Sequence, residues 1–168
     1  MELLEQLAVS FLASASFVVI FNAQKSSLLP GGVTGMASWL IYFMMAVEDD
    51  YDPVAASAVA SFFVAVISQL FSRRYKTPVT VFIIAGIIPL VPGGLAYDAM
   101  RNFVENDYYT GVALAAKTLL ISGAIAFGLV FSEVINQMIR RGRLSLRGKD
   151  GFHSGREPGW RQKEQGPG

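Results

Sequence analysis

Pro89 and Pro92 stand three residues apart in an apolar run and are followed by Gly93, Gly94, Tyr97 and Asp98. Each proline removes a backbone donor and clashes with the turn before it. The two glycines are expected to take torsions closed to other residues. In hydrocarbon, the carbonyls freed by such a break must be satisfied by protein or by water in a cavity. This is backbone chemistry of a kind that binds small solutes. The N-terminus of a half-helix offers N–H groups and a positive dipole to an anion, while unwound carbonyls face a cation. A half-helix starting near Gly94 would present its amides to a carboxylate. Tyr97 would stack on or hydrogen-bond the ligand, and Asp98 would hold an ammonium group or carry a proton. The competing reading is a packing kink, with Tyr97 an interfacial aromatic and Asp98 a loop carboxylate or a partner of Arg101.

Two further charges fall inside apolar sequence, where ionisable groups are expensive and point to function. Lys117 is expected to snorkel outward, to pair with Asp98 or Glu105, or to serve transport. Glu133 lies 16 residues further on and is a candidate coupling-proton carrier or a partner for Arg73 or Arg74. Gln69, Asn136 and Gln137 read as interhelical hydrogen-bonders. Other chemistries are excluded by composition. The chain has no cysteine and one histidine, His153, so thiolate or His-rich metal centres and a Ser-His-Asp triad are ruled out. There is no P-loop, no HExxH and no paired-aspartate motif, so neither ATP hydrolysis nor an intramembrane enzyme is supported, and no cofactor is implied.

The elements that must position these residues are membrane spans. Of 168 residues, 52% are apolar and 16% charged, well below the ~25% charged residues of a soluble domain. A helix needs about 20 apolar residues to cross ~30 Å of hydrocarbon. Five segments qualify: residues 3–21, a short one at 32–47, 53–71, a broken one from Val79 that resumes over 95–104, and 111–139. The break sits ~21 Å along the fourth helix, past the midplane. Glu2 and Glu5 occupy the place of a signal peptide's positive region, so the first segment reads as a retained helix. Small residues at four-residue spacing suit close helix approach: Gly31/Gly35, Ala56/Ala60, Ser57/Ser61, Ser61/Ala65 and Ala124/Gly128. The fold class is therefore an all-α integral membrane protein of about five helices, the fourth broken by Pro-x-x-Pro-Gly-Gly.

Charge sets the orientation. The loops run basic (Lys25), acidic (Glu48, Asp49, Asp50, Asp52), basic (Arg73, Arg74, Lys76) and mostly acidic (Asp98, Glu105, Asp107 against Arg101). Eight of the 14 basic residues but three of the 13 acidic ones follow Ile139. Five spans then place the N-terminus outside and the C-terminus in the cytoplasm. Residues 1–139 read as the transmembrane domain and 140–168 as a basic, disordered cytoplasmic tail that anchors topology or binds anionic lipid. No nucleic-acid partner is implied.

The stretch Ile88-Pro89-Leu90-Val91-Pro92-Gly93-Gly94 with Tyr97 resembles the signature of the threonine/serine exporter family, specifically the small subunit of its split form, which corresponds to the C-terminal half of fused exporters. The resemblance covers roughly residues 4–138, with Phe21-Asn22-Ala23, Ser68-Gln69 and Tyr97-Asp98-Ala99-Met100 as further matches. It implies an inner-membrane efflux subunit that works with a larger membrane subunit on a small carboxylate-bearing substrate. Threonine and serine are the expected cargo, with succinate the alternative. Pro89, Pro92, Gly93, Gly94 and Tyr97 are the residues that match the motif. A non-transporting assembly subunit and a homo-oligomeric channel are the readings to be tested against it.

Overall fold

The computed structural model describes residues 2–48 and 51–150. Six α-helices are found among them and no strand: α1 (Glu2–Ile20), α2 (Leu28–Phe43), α3 (Pro53–Tyr75), α4 (Val79–Ile87), α5 (Gly93–Val104) and α6 (Tyr108–Asp150). A 3-10 turn (Lys25–Ser27) leads into α2, a π turn (Met44–Glu48) extends it, and a second 3-10 turn (Ile88–Leu90) follows α4. Four stretches are long and apolar enough to cross a membrane: Leu3–Ile20, Lys25–Val47, Pro53–Tyr75 and Tyr108–Ile139. A fifth crossing results if Val79–Leu90 and Gly93–Val104, bent by 51°, form one span.

Local chemistry fixes the ends. Asn22 adopts φ 50° after α1, the Ala23 amide returns to the Val18 carbonyl and the Asn22 amide to that of Val19, which is a Schellman stop. Asn106 ends α5 the same way, with Asp107 and Asn106 amides on the Asn102 and Phe103 carbonyls. Asp52 caps α3 by accepting the Val54 amide at 3.1 Å, ahead of Pro53 at the first helical position. The second span begins earlier than the sequence reading placed it, at Leu28 instead of Gly32. Pro30 is tolerated there because it lies in the first turn, where the amide has no intrahelical acceptor.

Helices approach through small residues, because lipid tails give no hydrophobic drive between them. A methyl at Gly31 would overlap Val18, and one at Gly35 would overlap the Ser14 hydroxyl, so α1 lies directly on α2. A methyl at Gly86 would stand 2.6 Å from Val64 and 2.7 Å from Thr34, which seats α4 between α2 and α3. At Gly128 it would overlap Ser61 and the Ala58 carbonyl, which seats α6 on α3. The core cluster of Ala60, Val64, Leu90, Ile121 and Ile125 lies where α3, the break and α6 meet. The buried set is otherwise rich in hydroxyls. Ser27 and Thr77 join the two loops at one end at 2.9 Å, so Lys25 and Arg73, Arg74 and Lys76 share that end of the bundle.

Met1–Glu133 form one compact unit and Val134–Gly168 a second. In the second, the described backbone is helical to Asp150, beyond the position 140 at which the sequence reading starts the tail. Residues 151–168, with His153 and most of that tail, and Asp49 and Asp50 of the acidic loop lie outside the described residues.

Two outcomes follow from this packing. Gly128→Ala is expected to destabilise the bundle by about 1–3 kcal/mol through overpacking. Gly123→Ala, with nothing within 4 Å, should stabilise its helix by up to ~1 kcal/mol. Thermal melts of the two variants in detergent should move in opposite directions. At the start of α6, the Asp107 carboxylate accepts the Thr110 amide at 3.2 Å. Hydrogen bonds from the Thr110 side chain and backbone hold its pKa below the ordinary 3.8. The folded value is depressed, so the cap acts above the unfolded pKa and is lost as pH falls through the folded one. Hydrogen exchange at the Thr110 amide should lose protection in that acidic window, and Asp107→Asn should remove the pH dependence.

Candidate functional site

The site is built by the break. Pro89 has no N–H to return to the Ala85 carbonyl, so α4 gives way to a 3-10 turn at Ile88. Val91, which precedes Pro92, is driven into extended backbone (φ −62°, ψ 124°), and Pro92 follows at ψ 52°. The bend is absorbed by these two residues. Gly93 and Gly94, expected to supply unusual torsions, do not: no glycine among the described residues has a positive φ. They are the first two residues of α5, and a methyl on either would meet nothing within 4 Å. They leave the start of α5 uncovered. The first amide to return into the helix is that of Ala96, to the Pro92 carbonyl at 3.1 Å, and Gly93 turns back to the Val91 carbonyl at 2.8 Å. The Gly94 and Leu95 amides make no such bond, and Pro92 offers no side-chain cap.

These amides belong to a cleft of about 230 Å³. Its walls are Trp39 and Tyr42 of α2, Ser57 of α3, the break from Pro89 to Pro92, Gly94 and Leu95 of α5, and Ile121 of α6. Pockets for drug-sized ligands run to ~300–1,000 Å³, so this one suits a smaller solute. The lining holds no charged side chain. The polar and aromatic residues in its lining are Trp39, Tyr42 and Ser57. Ser57 Oγ is bound to the Pro53 carbonyl at 2.7 Å, and Trp39 Nε1 donates to Gln6 Oε1 at 3.2 Å. The Trp39 and Tyr42 rings stand 5.5 Å apart. A second cleft of about 350 Å³, lined by α1 residues from Gln6 to Ala13, lies against the same Trp39 and Pro89.

The structure thus brings Pro89, Pro92 and Gly94 into one cleft, with Gly93 beside it, and leaves four other candidates outside its lining. Tyr97 is 69% exposed on α5. Asp98 is exposed, and its backbone carbonyl accepts the Asn102 amide group at 2.8 Å. Arg101 pairs with Glu105 at 2.8 Å instead of with Asp98. Lys117 is exposed on α6 and forms neither of the ion pairs expected with Asp98 or Glu105. Arg101, one helical turn before Glu105, takes that carboxylate at local cost. Glu133 accepts a hydrogen bond from Gln69 Nε2 at 3.2 Å across α3 and α6, so Gln69 is an interhelical bonder as its place in the sequence suggested. Trp39, Tyr42 and Ile121 were not singled out from sequence, and Ser57 was read only as a packing residue. The available signal was Trp39 and Tyr42 three apart, amphipathic aromatics on one face of an otherwise apolar span.

Fold and cleft define a multi-pass helical membrane protein with a bent helix pair beside a small solute-sized cleft. Residues 6–135 match the family described as Threonine/Serine exporter, ThrE, and the chain belongs to that family. Among curated proteins it is similar to a threonine/serine exporter of Corynebacterium glutamicum, 30% identical over 128 residues that make up 76% of this chain and 26% of that protein. The chain therefore spans about a quarter of the length of this relative. No solved structure matches it. The family is one of transporters.

Because the chain has no native cysteine, single-cysteine variants report access directly. Gly94→Cys should react with a water-soluble maleimide about tenfold or more faster than Ser38→Cys, which is fully buried. Equal, slow labelling would mean that the break is sealed from water.

Proposed function

We propose that this chain is the smaller membrane subunit of a two-component secondary exporter that moves threonine and serine out of the cell with a larger membrane subunit. The observation that carries the reading is the uncovered start of α5: two backbone amides without intrahelical acceptors at a small cleft, in a member of the threonine/serine exporter family. The α5 amides and dipole receive the substrate carboxylate. The faces of Trp39 and Tyr42 receive its ammonium group by cation–π attraction. The Tyr42 and Ser57 hydroxyls are within the lining for the substrate side-chain hydroxyl. Succinate carries two carboxylates, and the cleft has one anion-receiving end and no cationic side chain, so the zwitterion is favoured.

Lys117, exposed on a span without a counter-charge, is placed by this reading against the larger partner or at the lipid headgroups. Tyr97 and Asp98, on the open side of α5, face the same partner, and Glu133 carries the coupling proton. Clustering of the Lys25 and Arg73–Lys76 loops at one end of the bundle supports a cytoplasmic location for that end.

The test is efflux of preloaded labelled threonine, serine and succinate from cells lacking their own exporters. The cells express this chain, a larger family subunit, or both, with and without a protonophore. Threonine or serine efflux only with both chains, collapsed by the protonophore, is the expected result. Gly94→Leu, which places a side chain in open space at the cleft, should lower that efflux about tenfold or more, equivalent to ~1.4 kcal/mol, with normal membrane levels. Efflux from the larger chain alone would make this chain an assembly subunit. Efflux from this chain alone would make it a homo-oligomeric path, and succinate alone would replace the cargo.

A further inference from the structure

A cluster of buried oxygens lies behind the break, where α1, α2 and α4 touch. Ser38 Oγ stands 2.7 Å from the Gly35 carbonyl and 2.7 Å from the Gly86 carbonyl. One hydroxyl proton cannot serve both fully. The neighbouring Ala85 carbonyl loses its helical donor because residue 89 is proline. Ser14 Oγ is fully buried and has no hydrogen-bond partner. It belongs to the same cluster: a methyl built on Gly35 would overlap Ser14 Oγ and stand 3.4 Å from the Ala85 carbonyl oxygen. A hydroxyl without a partner and a carbonyl without its helical donor thus lie beside the same seam at Gly35. The last turn of α4 adds the negative end of a helix dipole.

From this arrangement we infer a binding site for a monovalent cation of the size of sodium, formed by Ser14, Ser38 and the carbonyls of Gly35, Ala85 and Gly86. Neutral oxygens at the C-terminal end of a broken helix are the ligands such an ion takes inside a bilayer. Divalent cations call for carboxylates, and none of these five residues carries one. The oxygens of Ala85 and Gly86 lie within one turn of Pro89, which lines the cleft, so an ion here holds the break in one geometry. The site does not depend on the exported solute, although a role in coupling rests on the exporter reading.

The experiment is equilibrium binding of radioactive sodium to the purified full-length chain in detergent, with choline keeping ionic strength constant. Wild type should bind saturably at one site, Ser14→Ala should bind about tenfold more weakly or not at all, and Ser132→Ala should bind as wild type. Ser132 is a fair control because its hydroxyl is also buried without a partner. Ser14→Ala removes no hydrogen bond, so without sodium it should melt at or above the wild-type temperature, which a purely structural serine would not combine with lost binding. If Ser14→Ala is not monodisperse, Ser14→Cys, whose sulfur is a poor sodium ligand, takes its place. No saturable binding in wild type, undiminished binding in the Ser14 variant, or equal loss in Ser132→Ala would overturn the site. Sodium binding that persists while threonine efflux is absent would instead sink the exporter reading and leave the site standing.

Discussion

The bond from Ser38 Oγ to the Gly86 carbonyl, 2.7 Å long and fully buried, is what the rest of the structure depends on. A span cannot simply stop in hydrocarbon, because each unsatisfied peptide group there costs several kcal/mol. Pro89 and Pro92 force α4 to stop. The bundle can hold that discontinuity only because α2 brings a hydroxyl to the freed backbone. That requires α2 and α4 to lie almost in contact, which in turn requires Gly35 and Gly86 where any side chain would collide with Ser14, Val64 or Thr34. Break, cleft and the small-residue seams are thus one solution to one problem.

The same logic explains the unusual core. Its fully buried members include six serines and one threonine, while Phe82 is the largest side chain among them. A water-soluble protein would lose stability by filling its interior this way. In lipid, dispersion contacts between closely approaching backbones and interhelical hydrogen bonds replace apolar transfer as the stabilising terms. Large apolar side chains such as Leu119, Phe127 and Val130 are left on the outside, where acyl chains or a partner helix receive them.

Backbone-level features could be read from the sequence because they follow from residue type alone. The break at Pro89 and Pro92, the close seams at Gly31, Gly35 and Gly128, and the interhelical Gln69 were all visible as local patterns. What escaped was three-dimensional. Trp39 and Tyr42 belong to the cleft only because α2 happens to pass the break, and no spacing rule links residue 42 to residue 92. The helix α2 starts at Leu28, ahead of the apolar run that begins at Gly32, because Pro30 falls in its first turn, where no intrahelical donor is lost. Of the readings offered for Lys117, the ion pairs with Asp98 or Glu105 do not form, because Arg101 reaches Glu105 first along a single helix, and the side chain is left exposed. Gly93 and Gly94 were expected to take unusual torsions, and neither does.

The glycines of this chain fall into two kinds. With negative φ and nothing nearby, neither Gly93 nor Gly94 is demanded by the fold. Alanine would suit the first turn of α5 at least as well. Gly35 and Gly86 are the opposite case, since a single added methyl at either meets Ser14, Val64 or Thr34. The crowded glycines set how near two helices can come, and the open ones leave a helix start bare.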